Sequence, residues 1–282
     1  MKVLTTSEEM YEWSVLHARS GRTIGFVPTM GALHEGHQTL IKESTNLCDV
    51  TVLSIFVNQI QFTNDADFVS YPRTESEDLS IAELNGVDAV YMPTSSAMYP
   101  KGFATTIDAG PMATSMEGAF RPGHFVGVAT VVVKLLNAVQ PTVLFLGQKD
   151  FQQVAVLRRI VQDLNFPCSI HTVPTVRADN GLALSSRNSR LLPADFSRAS
   201  HIYTALCAAR DLVAAGERDT AVITKAARDV LKSIDNCVIE YIEIVDSHTV
   251  TTVLSITGEV VICVAVTLAG VRLIDNMILT IA

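Results

Sequence analysis

The chain has 282 residues, of which 48% are hydrophobic and only 18% are charged. This composition argues against a disordered chain, and the longest apolar run, the twelve residues Val260–Val271, is too short for a membrane-spanning helix, which needs about 20 residues. The net charge of −8 argues against nucleic acid as the main partner, because basic residues are needed to neutralise its phosphates. We therefore expect a soluble, cytoplasmic protein of about two domains.

Short apolar segments rich in β-branched residues alternate with helix-length segments over the first two-thirds of the chain. The predicted strands are Thr23–Val27, Val50–Val57, Asp88–Met92, Thr142–Leu146 and Cys168–Val173. The predicted helices between them are His37–Leu47, Thr74–Asn85, Val126–Val139 and Asp150–Leu164. Strands that are apolar almost throughout are typical of a parallel sheet covered on both faces. The alternation therefore predicts an α/β fold, a Rossmann-like, doubly wound parallel sheet.

The pattern changes near residue 175. Two predicted helices are followed by three predicted strands with no helix between them. These helices are Pro193–Ala215 and Thr220–Ile234, and the strands are Val238–Val245, Val260–Leu268 and Val271–Ile281. Consecutive strands favour an antiparallel sheet. We therefore expect residues 1–175 to form the Rossmann-like domain and residues 176–282 to form a smaller α+β domain.

The loop after the first predicted strand, Met30–His37, carries two histidines three residues apart. In an open α/β sheet, ligands bind beyond the carboxyl ends of the strands, and the N-terminus of the next helix favours phosphate. His34 and His37 can each donate a hydrogen bond to a charged oxygen, which would stabilise a phosphoryl transition state. Two other interpretations stay open. The pair could be structural, or it could bind zinc, although the histidines of HExxH zinc sites are spaced four residues apart on a helix.

The sequence contains neither GxxxxGK[ST] nor GxGxxG after a strand, so a nucleotide would need other groups. The segment Gly147–Asp150 follows another predicted strand, where Lys149 could meet a phosphate and Asp150 a ribose or a metal. The segment Leu184–Asn188 offers two hydroxyls and the cation Arg187, and such a loop can close over a triphosphate. Taken alone, the first segment is also typical of a helix cap and the second of a solvated turn.

Taken in this order, His34-x-x-His37, a central lysine and a late Ser-Ser-Arg segment resemble the nucleotidyltransferase superfamily, which includes class I aminoacyl-tRNA synthetases. Further segments resemble the pantothenate synthetase family over nearly the whole chain. These segments are Val27–Gly31, Ser54–Asn58, Gln61-Phe62, Tyr71–Thr74, Glu117-Gly118, Arg121–Phe125, Lys149–Gln153, Leu182–Asn188 and Arg272–Asn276. Two residues depart from the family pattern, Gln59 in place of a common proline and Gln148 in place of a common glutamate.

The resemblance implies a carbon–nitrogen ligase that condenses (R)-pantoate with β-alanine to give pantothenate. Pantoate and ATP would first form pantoyl adenylate and diphosphate, with Mg²⁺ accompanying the nucleotide. The β-alanine amine would then displace AMP. The resemblance also implies a homodimer, and a C-terminal domain that closes over the active site.

Site residues follow from the resemblance, residue by residue. The catalytic residues would be His34, His37, Lys149 and Arg187, with His37 as a proton donor. The ATP-binding residues would be Met30, Gly31, Ala32, Leu33, His34, Glu35, Gly36, His37, Gly147, Gln148, Lys149, Asp150, Val176, Leu184, Ser185, Ser186 and Arg187. The residues that bind pantoate would be Gln61 and Gln153, and Gln61 would also approach β-alanine. Residues matched to the neighbourhood of the pocket are Asn58, Arg121 and His124, and no residue is assigned as a metal ligand.

Other functions explain these residues less completely. An adenylyltransferase shares the HxGH motif but does not account for Gln61 and Gln153 or for the extra C-terminal domain. A tRNA synthetase would need an anticodon-reading region and a basic surface, and the sequence has neither. A non-enzymatic nucleotide-binding or scaffold module would not need His37, Lys149 and Arg187 together.

Overall fold

The computed structural model describes residues 1–281, and its larger sheet has six strands. They are β1 (Lys2–Leu4), β2 (Ile24–Thr29), β3 (Val50–Ile55), β4 (Ala89–Tyr91), β5 (Val143–Gly147) and β6 (Ser169–Val173). Neighbouring strands pair in parallel in the order β1-β4-β3-β2-β5-β6. The predicted parallel α/β sheet is confirmed.

Helices accompany this sheet along the chain. They are α1 (Ser7–Arg19), α2 (Glu35–Leu47), α3 (Asp65–Val69), α4 (Glu75–Leu84), α5 (Ser95–Met98), α6 (Glu117–Phe120), α7 (His124–Val139) and α8 (Phe151–Asp163). Helices α1 and α7 pack against each other and against β2, whereas α2 packs against β2, β3 and β5. Strand β3 is buried at every position, because helices cover both faces of the sheet, as its continuous apolar sequence predicts.

The direction of strand addition reverses between β2 and β5. From β2 the chain adds β3 and then β4 toward one edge, and β5 then lies on the other side of β2, followed by β6. Strands β2 and β5 pair directly through Gly25 with Val143 and Phe26 with Leu144. Such a reversal opens a crevice beyond the carboxyl ends of the two strands. The loop that begins at Met30 leaves β2 at this point.

Two N-terminal elements, β1 and α1, were not predicted. Strand β1 has only three residues, two of them exposed, so it carries little hydrophobic pattern. Helix α1 does have a sequence signal, a capping box. The Glu9 N–H donates to the Thr6 hydroxyl (3.2 Å), and the Thr6 N–H donates to the Glu9 carboxylate (3.1 Å). The spacing Thr-x-x-Glu is typical of a helix start.

Contacts divide the chain into two compact units. The first comprises Met1–Gly147 and Val156–Pro174, and the second comprises Gln148–Ala155 and the chain from Thr175 onward. This division differs from the expected boundary at residue 175 by placing residues 148–155 with the second unit. The functional roles assigned to the two domains stay predictions.

The second unit combines three helices with a three-stranded antiparallel sheet, as the α+β prediction requires. Its elements are α9 (Pro193–Ala199), α10 (His201–Ala214), α11 (Thr220–Lys232), β7 (Cys237–Asp246), β8 (Val260–Leu268) and β9 (Val271–Leu279). Strand β8 lies between β7 and β9 and is buried at all but one position. The long apolar run of β8 therefore forms the centre of the hydrophobic core of this unit. Within residues 1–281, no helix is long and apolar enough to cross a membrane.

The prediction of one continuous helix over Pro193–Ala215 is wrong, because the chain breaks into α9 and α10 at Ser200. The Ser200 N–H donates to the Ser197 carbonyl (3.3 Å), three residues back, and the Ser200 hydroxyl donates to the same oxygen (2.7 Å). A serine side chain that bonds to its own backbone neighbourhood competes with the regular helical ladder. The sequence pattern did not show this local competition.

Candidate active site

The loop that follows β2 turns sharply through two left-handed residues. Gly31 has φ +78° and Ala32 has φ +50°. A Cβ on Gly31 would lie 2.9 Å from Asp78 Oδ2 and 3.2 Å from Ile55 Cγ2. Both the positive φ and the close contacts therefore require glycine at this position. The Gly31 N–H donates to the Thr29 hydroxyl (3.2 Å), so the turn is attached to the end of β2.

A buried carboxylate on α4 holds the next two residues of this loop. Asp78 is only 1% exposed. Its Oδ2 accepts from the Ala32 N–H (3.0 Å), and its Oδ1 accepts from the Leu33 N–H (2.7 Å). Hydrogen bonds to a charged acceptor are stronger than those between neutral groups. Asp78 therefore sets the path of the chain from β2 into α2.

The two histidines of the motif support one another at the start of α2. The His34 Nδ1 accepts from the Gly36 N–H (3.1 Å), and the His37 Nδ1 accepts from the His34 N–H (3.3 Å). The ring centroids are 4.1 Å apart at 44°. Since Nδ1 accepts in both rings, each neutral ring carries its proton on Nε2. The motif thus places two imidazole rings at a helix N-terminus, which itself favours anions.

The support from Asp78 is open to a direct test. If this loop binds ATP, as the resemblance implies, Asp78→Asn should lower kcat/KM for ATP about tenfold, because the amide can accept from only one of the two backbone N–H groups and leaves a buried donor unsatisfied. Steady-state kinetics at saturating second substrate measure this change. The matched control is Asp49→Asn. Asp49 also accepts two hydrogen bonds, from the Thr23 N–H and hydroxyl (both 2.8 Å), but Thr23 precedes the N-terminal end of β2, away from the loop. Equal losses in both variants would refute a specific role for Asp78.

Gln61 lies in a 3-10 turn, Gln59–Gln61, and its side chain meets the loop after β2. Its amide Nε2 donates to the Met30 Sδ (3.2 Å), and its Oε1 accepts from the Asn58 Nδ2 (2.9 Å). Gln61 is 9% exposed, so it is not an ordinary surface glutamine. The structure thus brings together Met30 and Gln61, which the sequence assigned to ATP and to pantoate respectively.

The main chain of Gln61 is held by residues at the start of α7 and just before it. The Gln61 carbonyl accepts from the His124 Nδ1–H (2.9 Å) and from Arg121 (3.4 Å), and Arg121 also donates to the His124 Nε2 (3.2 Å). Glu117 lies 3.6 Å from the Arg121 guanidinium. Arg121 and His124, which the resemblance placed only near the pocket, therefore contact Gln61 itself.

In the second unit, a short 3-10 turn, Gln148–Asp150, is attached to β9 by Asn276. The Asn276 Nδ2 donates to the carbonyls of Gln148 and Lys149 (both 2.9 Å), and its Oδ1 accepts from the Gln148 Nε2 (3.1 Å). Asn276 is buried. The Lys149 Nζ lies 3.4 Å from the Asp150 carboxylate. Asn276 therefore positions the backbone of a segment that the sequence assigned to ATP.

The remaining predicted nucleotide residues lie on one hairpin-like segment of the second unit. The Leu184 N–H donates to the Val176 carbonyl (3.0 Å), and Arg177 and Ala183 form an antiparallel bridge. The Ser185 hydroxyl then accepts from the Arg187 N–H (3.3 Å) and caps a short 3-10 turn, Ser186–Arg190.

Arg177 attaches this segment to β9. Its guanidinium makes two hydrogen bonds to the Asp275 carboxylate (2.5 and 3.0 Å), and it lies over the ring of Tyr203 at 4.3 Å. Burial raises the pKa of the Asp275 carboxyl, while the Arg177 guanidinium and the Asn276 N–H oppose that rise. The ion pair therefore attaches the start of the segment that carries the Ser-Ser-Arg motif to β9.

The predicted site residues thus fall into two groups. Met30–His37, Gln61 and Gly147 belong to the first unit, and Gln148–Gln153 and the segment Val176–Arg187 belong to the second. Gln153, assigned to pantoate, is half-buried on α8. Their roles in binding and catalysis stay predictions.

Two residues that support the first group were not predicted from the sequence: Asp78, which is buried, and Tyr99, which is half-buried and donates a hydrogen bond to Asn58. Asp78 stands beside Glu75 and Glu77 in the first turn of α4, a pattern typical of a solvated helix start. Nothing in the sequence singled it out, because its partners lie about 45 positions away.

Fold and loop together define a class of protein. A parallel α/β sheet with a histidine pair at its switch point, on a helix N-terminus, is an enzyme scaffold suited to phosphate-bearing ligands. A family profile described as pantoate-beta-alanine ligase matches residues 2–278. The chain therefore belongs to the pantoate–β-alanine ligase family, whose members join pantoate to β-alanine by an amide bond. The family and the ligase class predicted from the sequence are confirmed.

Individual relatives agree over nearly their full lengths. The pantothenate synthetase of Heliobacterium modesticaldum is 46% identical over 278 residues, 99% of each chain. A crystal structure of pantothenate synthetase from Thermus thermophilus superposes with a TM-score of 0.93 at 38% identity, over 98% of this chain and 99% of that one. The pantoate-beta-alanine ligase of Francisella tularensis, complexed with beta-gamma ATP and beta-alanine, gives a TM-score of 0.81 at 33% identity, over 98% and 97% of the chains.

Proposed function

We propose that this chain condenses pantoate with β-alanine to form pantothenate in an ATP-dependent reaction through a pantoyl-adenylate intermediate. The observation that carries the proposal is the histidine pair at the start of α2, where the Nδ1 atoms of His34 and His37 are held by backbone N–H groups. The complex of the Francisella tularensis relative with beta-gamma ATP and beta-alanine supports the choice of nucleotide and amine.

The first step transfers an adenylyl group to pantoate. A pantoate carboxylate oxygen attacks the α-phosphorus of ATP, the bond from that phosphorus to the β-bridging oxygen breaks, and diphosphate leaves. Negative charge grows on the phosphoryl oxygens and on the leaving group. His34 and His37 donate hydrogen bonds to these oxygens, and Lys149 and Arg187 add positive charge, an electrostatic stabilisation that increases as the transition state forms.

The second step forms the amide bond. The neutral amine of β-alanine attacks the acyl carbon of the adenylate, the bond from that carbon to the AMP oxygen breaks, and the nitrogen loses a proton. Water competes for the same carbon, so the reaction needs a site that excludes it. Closure of the C-terminal domain, which the family resemblance implies, would supply that exclusion. Gln61 and Gln153 hold pantoate without adding a charge that would compete for its carboxylate.

Magnesium fits this site as a companion of the nucleotide. Mg²⁺ is usually bound through phosphates, water and one or two carboxylates. Within the described part of the chain no group of three or more histidine, cysteine or acidic residues could hold a metal without the nucleotide. Asp150, half-exposed beside Lys149, is the carboxylate that would reach such an ion. The ion would neutralise part of the phosphate charge.

An isotope-exchange experiment tests the adenylate. We expect labelled diphosphate to enter ATP in the presence of pantoate and in the absence of β-alanine, because the first step is reversible and needs no amine. Reactions without pantoate serve as the control. Pantothenate synthesis without any such exchange would rule out a freely reversible adenylation.

Two glutamines provide a test of pantoate recognition. Removing one hydrogen-bonding partner from a buried site costs about 1–3 kcal/mol, so Gln61→Ala or Gln153→Ala should raise the KM for pantoate at least about tenfold. Binding of ATP measured alone should change little. A matched control is Gln140→Ala, because Gln140 follows α7 and is exposed. Equal weakening of ATP and pantoate would instead indicate damage to the fold and would reject the assignment.

We also propose that the enzyme works in the cytoplasm as a homodimer, as the family resemblance implies, with small molecules as its only substrates. Sedimentation at micromolar protein concentration measures the oligomeric state.

A further inference from the structure

A chain of hydrogen bonds behind Gln61 determines which end of its amide faces outward. The Asn58 Nδ2 donates to the Gly127 carbonyl (3.1 Å) and to the Gln61 Oε1 (2.9 Å), and the Tyr99 hydroxyl donates to the Asn58 Oδ1 (2.6 Å). We call these four residues the Gln61 relay. All lie in the first unit, and Asn58 is only 1% exposed.

The backbone carbonyl of Gly127 fixes the polarity of the whole relay. A carbonyl oxygen can only accept, so the Asn58 atom that faces it must be the amide nitrogen. The Gln61 atom that accepts from this same nitrogen must then be Oε1. The remaining Asn58 atom is the amide oxygen, so the Tyr99 hydroxyl must donate to it. No flipped arrangement of either amide satisfies all three contacts.

Close packing holds the carbonyl in place. A Cβ on Gly127 would lie 2.6 Å from the Gln61 Cα and 2.6 Å from the Ile60 carbonyl oxygen. Only glycine therefore allows α7 to approach the turn that carries Gln61. The backbones that carry Gly127 and Gln61 are therefore in direct contact.

Tyr99 is well suited to be the outer donor. Its ring packs against Phe56 (6.1 Å between centroids) and Phe103 (5.0 Å). Burial also raises the pKa of the Tyr99 phenol, so the hydroxyl keeps its proton. The aromatic contacts fix the position of the ring and therefore of the hydroxyl oxygen.

The partner that Gln61 has in this structure is a weak one. Its Nε2 donates to the thioether sulfur of Met30, which is a poor acceptor. A ligand oxygen that replaced this sulfur would form a stronger hydrogen bond without any rearrangement of the relay.

We propose that Gln61 recognises its ligand as a hydrogen-bond donor, through Nε2 to an oxygen of pantoate, and that Tyr99 is a positioning residue that fixes this polarity through Asn58. The inference rests on the proposed function, since it concerns how the same site selects pantoate. It predicts that the contacted group is an oxygen acceptor, either the carboxylate or a hydroxyl lone pair.

Two variants test the two halves of this inference. Gln61→Glu keeps the shape and the acceptor toward Asn58 but presents an oxygen where a donor is needed, so the pantoate KM should rise at least about 100-fold. Tyr99→Phe keeps the aromatic contacts and removes only the hydroxyl. It should raise the pantoate KM about threefold to tenfold, the effect of one neutral hydrogen bond, while kcat and the ATP KM stay within about twofold.

The matched control for the second variant is Tyr91→Phe, because Tyr91 is a buried tyrosine of the first unit whose hydroxyl bonds to Ser7 and not to Asn58. This control should leave the pantoate KM unchanged. A wild-type pantoate KM in Gln61→Glu would overturn the donor assignment. A wild-type KM in Tyr99→Phe, or a rise shared by pantoate and ATP, would overturn the role of Tyr99. Absence of pantothenate synthesis by the wild-type enzyme would instead overturn the proposed function, and the inference with it.

Discussion

Replacement of His37 by alanine should lower the turnover number about 10²–10³-fold, the effect of losing one preorganised donor to a developing negative charge. Its Nδ1 accepts from the His34 N–H, so its Nε2 carries the proton that a phosphoryl oxygen would receive as a hydrogen bond. The Kd for ATP should change much less, because the charge on the α-phosphoryl oxygens grows only as diphosphate leaves. Rapid-quench measurement of the proposed adenylate, together with ATP binding, separates the two effects.

His171→Ala is the control for this experiment. His171 lies on β6, half-exposed, with its Nε2 3.6 Å from the Glu43 carboxylate, and it belongs to neither group of predicted site residues. Its replacement should leave turnover near the wild-type value. A turnover number of His37→Ala within a few-fold of wild type would show that His37 is a structural histidine.

Breaking the pair between Arg177 and Asp275 should lower the free energy of unfolding far more than breaking a surface ion pair does. Replacing Asp275 with asparagine leaves the Arg177 guanidinium, whose side chain is 19% exposed, without a carboxylate. Removing one partner of a buried ion pair costs about 3–5 kcal/mol. The urea midpoint of unfolding should fall accordingly, as followed by circular dichroism with ligand absent. Because Arg177 begins the segment that carries Ser185 and Arg187, ATP binding should weaken as well.

Asp211→Asn provides the comparison, since Asp211 pairs with Arg210 at the surface, where both side chains are more than half exposed. Exposed ion pairs contribute little to stability, so this variant should unfold at nearly the wild-type urea concentration. If Asp275→Asn unfolds at the same midpoint as Asp211→Asn, the buried pair does not secure the hairpin segment.

Long apolar runs made most of the sheet predictable. Strand β3 (Val50–Ile55) is buried at every position, and a strand buried on both faces shows an almost uninterrupted apolar sequence. Strand β1 (Lys2–Leu4) is short and mostly exposed, so it has no comparable pattern. The division of Pro193–Ala215 into two helices was equally hidden, because helical periodicity continues on both sides of Ser200.

The motif residues were identifiable because each one lies within a few positions of a strand end or a helix start. His34 caps α2 and His37 lies in its first turn, and the Nδ1 atoms of both accept from backbone N–H groups within three residues. Local geometry of this kind is encoded in a short stretch of sequence. The sequence by itself therefore determined the family, the parallel sheet and the candidate donors at its switch point.

Only the tertiary structure revealed how those donors are held. Asp78 accepts from the Leu33 N–H across 45 positions, and the Asn58 amide donates to the Gly127 carbonyl across 69. Neither partner has a sequence pattern of its own, because an aspartate in a polar helix and a glycine in an apolar helix are each compatible with many environments. Their roles arise when folding brings distant backbones to within hydrogen-bonding distance, where a carboxylate or a missing Cβ becomes necessary for the shape of the site.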